Sequence, residues 1–140
     1  METITISARF APTPTAVREA REFVLAQATQ ARVPVPVEVS EDVALLVSEL
    51  ATNAMIHAGT AFRIGVAFNP TVVRVEVEDD NPALPQPRPV DTDATSGRGL
   101  LILERLADRW GTTPLTHGKR VWFERGLHRA ARREPLPAPA

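Results

Sequence analysis

The sequence contains no cysteine, so thiol catalysis, disulfides and cysteine-based zinc sites are excluded. Its three histidines, His57, His117 and His128, stand far apart and make no recognisable metal spacing. A redox role is not expected. No large excess of either charge is present: the formal net charge is −1, and because Arg129, Arg132 and Arg133 face only Glu134 in the tail from Gly126 onward, residues 1–125 carry −3. That is no electrostatic footprint for a nucleic acid. No apolar run approaches the roughly 20 residues of a membrane span, and the N-terminus lacks the charged-then-apolar pattern of a secretory signal. A cytoplasmic protein with neither a nucleic-acid nor a membrane partner is expected. Internal repeats and a second domain are also missing, and 140 residues suit one domain that buries about two-thirds of its unfolded surface.

What is present centres on residues 40–59. Ser40 is an N-cap candidate, Glu41 and Asp42 place negative charge in a first turn, and Gly59 supplies a residue that tolerates the left-handed conformation ending a helix. Val43, Leu46, Val47, Leu50 and Ala54 recur at the three-four spacing of one buried face. Glu49, Asn53 and His57, spaced by four, line the flank of that face. Unpartnered burial of such groups costs roughly 1–3 kcal/mol each. They therefore border a pocket for a polar ligand, or else Asn53 and His57 bond to neighbouring loops while Glu49 reaches water.

Around this helix the chain reads in order. Residues 1–10 alternate as a strand that stops at Pro12. Thr13 and Pro14 open an amphipathic helix whose buried face is Val17, Ala20, Val24, Ala28 and Ala31. Val33-Pro34-Val35-Pro36 ends it and leads to Ser40 as an extended link. Phe62, Ile64, Val66 and Phe68, a turn at Asn69-Pro70-Thr71, then Val73, Val75 and Val77 form a hairpin with one buried face. One further step of the period places Asp79 on that face, unless the strand ends at Glu78 and Asp79 caps the following turn.

Residues 82–96 hold four prolines and no period, the composition of a lid. Gly97-Arg98-Gly99 then precedes a helix with Leu100, Leu103 and Leu106 on one face. This is either an anion site at a helix start or an ordinary hinge. Asp108 to Gly111 leaves the helix, and residues 115–124 read as a hairpin turning at His117-Gly118, with Val121 and Phe123 facing inward. Basic residues followed by Pro135, Pro137 and Pro139 predict a disordered tail over 126–140, so the domain is expected to span 1–125.

Glu-Leu-x-x-Asn-Ala-x-x-His-Ala on a helix, a strand ending in Asp, a proline-rich loop and Gly-x-Gly-Leu opening a helix together resemble the GHKL superfamily. That is the ATP-binding fold of gyrase, heat-shock chaperones, histidine kinases and mismatch-repair proteins. Ser-Gly-Arg-Gly-Leu-Leu, Asp-Arg-Trp-Gly and Val-Trp-Phe-Glu look most like the small anti-sigma-factor-type proteins of actinobacteria. The likeness covers about residues 10–125. It implies an α+β two-layer sandwich, with a mixed, mainly antiparallel sheet covered on one face by helices and ATP bound beneath the lid.

By resemblance, Asn53 matches the Mg²⁺ ligand and Glu49 the acidic residue that activates or orients a nucleophile. Asp79 matches the acceptor of the adenine amino group. Gly97, Arg98, Gly99 and Leu100 match the phosphate loop; His57, Asn81 and Lys119 complete the expected nucleotide contacts. The family's Asp-x-Gly-x-Gly box departs here to Asp79-Asp80-Asn81-Pro82-Ala83. Asn81 can adopt the left-handed conformation, whereas Ala83 cannot do so cheaply. The implied activity is serine/threonine kinase transfer from ATP to a small antagonist protein, with a sigma factor as a second partner and a homodimer allowed. The alternative is a non-catalytic, nucleotide-gated binding module.

Overall fold

A computed structural model describes residues 4–81 and 101–128. Along the chain lie strand β1 (Ile4–Phe10), helix α1 (Pro14–Gln30), helix α2 (Val37–Asn53), a π-helical turn (Ala54–Ala58), and strands β2 (Phe62–Phe68), β3 (Val72–Asp79), β4 (Arg109–Leu115) and β5 (Gly118–Gly126). Residues 101–106 are helical. The strands form one sheet in the order β1-β2-β3-β5-β4, with every neighbouring pair antiparallel. Helices pack on it, giving the expected α+β sandwich. The parallel component of a mixed sheet is not found among the described strands.

Period-two alternation builds the floor of the core. Phe62, Ile64, Val66 and Phe68 on β2, Val73, Val75 and Val77 on β3, and Val121 and Phe123 on β5 are all buried. In register, Val66 lies opposite Val75 and Val75 opposite Phe123, so one apolar face is continuous across three strands. Phe10 on β1 stacks on Phe62 at 5.6 Å and meets Phe23 of α1 edge-on at 5.9 Å, which fastens the first helix to the sheet edge. From above, α2 buries Val43, Leu46, Val47 and Leu50 together with Val39 and Ala51, and the π turn buries Ala54, so all five expected positions face the core. The β2–β3 turn is held by Asn69, whose Oδ1 accepts from the Thr71 and Val72 amides at 2.8 and 3.1 Å.

On the opposite face of the sheet the same alternation places charge. Arg74 pairs with Glu76 and Glu124 at 2.8 and 3.1 Å and lies 4.0 Å from the centre of the Trp122 ring. Arg120 pairs with Glu78 and Glu76 at 2.7 and 3.3 Å. The Glu78 hydrogen bond, opposed by partial burial, raises the Arg120 pKa above its ordinary value. These pairs are about one-third exposed and contribute little individually.

Arg125 differs, because it continues the inward set of Val121 and Phe123 and is fully enclosed. Its Nε and Nη2 donate to Asp42 Oδ2 at 3.2 and 3.0 Å, and Nη1 donates to the Gly126 carbonyl at 2.9 Å. The pair ties the first half of α2 to the end of β5.

Four boundaries differ from those read in the sequence. α2 begins at Val37 rather than after Ser40, because Pro36 restricts the residue before it and not those after it; Ser40 N–H already bonds the Pro36 carbonyl at 3.0 Å. The first-turn acid is therefore Glu38. β4 runs from Arg109, concealed by Pro114, which an edge strand tolerates, and the hairpin turns at Thr116-His117. The fold also passes the expected boundary at residue 125: β5 includes Gly126, and Leu127 is buried with its N–H on the Thr71 carbonyl at 2.9 Å. The expected lid over 82–96 and the tail from 129 onward lie outside the described residues.

Asp42→Ala removes an ion-pair partner from an enclosed guanidinium, so a loss of about 3 kcal/mol is expected, read as a lower urea midpoint at unchanged m. A loss below about 1 kcal/mol would mean that the other partners of Arg125 suffice to hold it.

Candidate functional site

Beyond Asn53, α2 widens into a π turn closed by the Gly59 amide on the Ala54 carbonyl at 3.1 Å, five residues back. Gly59 has φ +67°, the left-handed conformation expected of it. Such turns recur at functional sites. The His57 side chain lies outside the described structure. The side chains of Glu49 and Asn53 are half-buried and make no hydrogen bond to any described residue. The loop-bonded alternative for Asn53 is thus not realised among the described residues.

The π turn packs against β3, and Thr60 Oγ1 accepts from the Asp80 amide at 3.3 Å. This brings the end of the long helix beside Asp79, the last residue of β3. Asp79 is buried on the face of Val73, Val75 and Val77, as its parity predicts, with 7% exposure. Its Oδ1 accepts from the Asn81 amide at 2.8 Å, so it also caps the turn that follows. The strand thus runs through Asp79 rather than ending at Glu78, and the carboxylate caps the turn as well. Among the described residues no donor reaches its Oδ2.

Lys119 lies directly opposite Asp79 in the β3–β5 register. Its ammonium donates to Asp79 Oδ1 and to the Asn81 carbonyl, both at 3.1 Å, with the two side chains 10% and 5% exposed. Lys119, one of the expected nucleotide contacts, is here bonded to the carboxylate and to the turn that departs from the glycine box. Preceding it, Gly118 has φ +146°, and a Cβ there would stand 1.9 Å from the Asp79 carbonyl oxygen. Only glycine lets the β4–β5 turn come this close. Sequence reading missed this junction, although stepping back by two from Phe123 and Val121 reaches Lys119, and stepping forward reaches Arg125.

Gly97, Arg98, Gly99 and Leu100 lie outside the described residues. No three His, Cys, Asp or Glu side chains cluster to hold a metal among those described. A Mg²⁺ ion here would depend on the Asn53 amide oxygen together with substrate phosphates and water, a donor set that suits this hard cation.

The family model for the histidine kinase-like ATPase domain matches residues 10–124. The chain belongs to this family. Among solved structures, this ATPase-family domain is similar to "The crystal structure of the RsbU and RsbW domains of Rv1364c from Mycobacterium tuberculosis", with a TM-score of 0.67 and 16% identity. The match covers 96% of this chain but 35% of the longer one, and at that identity it shows a shared fold. A search of curated proteins finds no match.

Because Asp79 and Lys119 neutralise each other out of water, Asp79→Asn is expected to cost about 2–4 kcal/mol. Adding Lys119→Met should recover part of that loss, giving a coupling of about 1–3 kcal/mol in a double-mutant cycle by urea denaturation. Strict additivity would show that the pair is not coupled.

Proposed function

We propose that this ATPase-family domain binds ATP with Mg²⁺ and transfers the γ-phosphoryl group to a serine or threonine of a small antagonist protein, in the manner of anti-sigma-factor kinases. The observation that carries the reading is the polar set at one end of the sandwich. Glu49 and Asn53 have no described hydrogen-bond partner, one helix end away from a buried carboxylate with one oxygen open. Family membership supports the nucleotide, and the resemblance of Ser96–Leu101 and Val121–Glu124 to anti-sigma-type proteins supports the substrate class.

In this reading, Asp79 Oδ2 accepts the exocyclic amino group of the base, because a carboxylate oxygen is a pure acceptor. Asn53 presents an amide oxygen to the metal. Glu49, one turn earlier, accepts a hydrogen bond from the attacking hydroxyl and orients it, holding its proton as the phosphoryl group departs from ADP. Bound Mg²⁺ would neutralise charge on the β- and γ-phosphates. Residues 97–99 would supply backbone amides to the phosphates, and a sigma factor would be the partner released or retained by the switch. A homodimer and a cytoplasmic setting complete the proposal; no described helix is long and apolar enough to cross a membrane.

Two substitutions one turn apart should separate binding from chemistry. Asn53→Ala should weaken ATP affinity roughly tenfold or more by calorimetry with Mg²⁺ present, and much less with the metal omitted. Glu49→Gln keeps size and much of the hydrogen bonding, so ATP should bind near normally while radiolabel transfer to a co-purified partner falls about 10²–10⁴-fold. A wild type that binds ATP and transfers nothing, while both variants only alter partner affinity, would favour the nucleotide-gated binding module.

A further inference from the structure

A buried ammonium beside the proposed base-binding carboxylate changes what that carboxylate can read. An ammonium has three N–H donors; Lys119 uses one on Asp79 Oδ1 and one on the Asn81 carbonyl. The third has no acceptor among the described residues. Asp79 likewise has Oδ1 committed, while no donor among the described residues reaches Oδ2. The floor of the site thus presents an acceptor and a donor side by side, held together by the β3–β5 register and the Gly118 contact.

A purine can meet such a floor in two ways. Adenine offers its N6 amino group to the acceptor and N1 to the donor. A 6-oxopurine offers N1–H to the acceptor and O6 to the donor. A lone carboxylate would instead repel O6, since two acceptors would meet out of water. We propose that Lys119 is a specificity-determining residue that gives this site a donor–acceptor base edge, so that it accepts 6-oxopurine nucleotides alongside ATP. The assignment rests on the nucleotide reading above and deepens it. Lys119 contacts the base edge, whereas Asn53 and Glu49 serve the metal and the attacking hydroxyl, so base choice and transfer are governed by different residues.

Inosine triphosphate is the cleanest probe, because it presents N1–H and O6 without the additional amino group of guanine. Calorimetric titration of the wild type with ATP and with inosine triphosphate, each with Mg²⁺, should give dissociation constants within about tenfold of each other. A wild type that binds ATP and discriminates more than about 100-fold against inosine triphosphate overturns the assignment of Lys119 while leaving the nucleotide site standing. Failure of both nucleotides to bind overturns the nucleotide reading itself, and the assignment with it. Lys119→Met, checked for folding by its melting temperature, should widen the preference for ATP by roughly 10–100-fold, as expected for loss of a charged hydrogen bond to O6. A variant that weakens both nucleotides equally would make Lys119 a support for Asp79 with no part in base choice. Because the wild-type comparison needs no substitution, an unfolded variant does not remove the test.

Discussion

A carboxylate on the inward face of a sheet has to be neutralised, and the pairing of Asp79 with Lys119 is the constraint on which this end of the molecule depends. The pairing follows from register: with Val75 opposite Phe123 and Val77 opposite Val121, Asp79 can only face Lys119. Gly118 then has to be glycine, because the β4–β5 turn closes onto the Asp79 carbonyl. The opposite end of β5 repeats the solution with Arg125 and Asp42, fixing the first half of α2. Apart from Gln27, which bonds the Phe23 carbonyl, the buried residues between the two ion pairs are apolar. The two ends of β5 are thereby tied by charge, while apolar burial and an Arg21–Ser48 hydrogen bond of 3.0 Å hold α1 and α2 between them.

α2 carries two jobs that compete for its surface. Its apolar stripe covers the sheet, and Glu49 and Asn53 border that stripe without partners among the described residues. Both groups stand on regular α-helix, which ends at Asn53. The widened turn over Ala54–Ala58, closed by Gly59, then brings the chain down beside Asp80 through Thr60. Helix flank and strand end meet at that point, which is where a ligand could be read from both layers. The Asp79-Asp80-Asn81 turn lacks the glycines of the resembled box. Its closure comes from the Asn81 amide on Asp79 and from Lys119 on the Asn81 carbonyl.

Much of this was legible in the residues, for a physical reason. The buried stripe from Val43 to Ala54, the β2–β3 hairpin and the inward parity of Asp79 follow from local periodicity, which the core enforces over every step. The left-handed Gly59 is likewise a local requirement. Partners across the fold were not legible. Lys119 lies 40 residues from Asp79, and Arg125 lies 83 from Asp42, so neither pairing follows from the residues flanking it. β4 was hidden because Arg-Trp-Gly-Thr-Thr-Pro-Leu does not alternate, and its strand state is imposed by pairing with β5. Pro36 was read as part of an extended link when it is the helix entry, and the π turn leaves no mark in hydrophobic spacing.

Nucleotide binding at the Asn53–Asp79 end of the sandwich is the central claim, and its position is most directly tested by titrating ¹⁵N-labelled protein with ATP and Mg²⁺ while following backbone amide resonances. The amides of Asn53, Asp79, Asn81 and Lys119 should shift, with the Asn53 response depending on the metal, while those of Asp42 and Arg125 at the other end stay in place. Shifts concentrated around Asp42 and Arg125, or no shifts at saturating nucleotide, would contradict it.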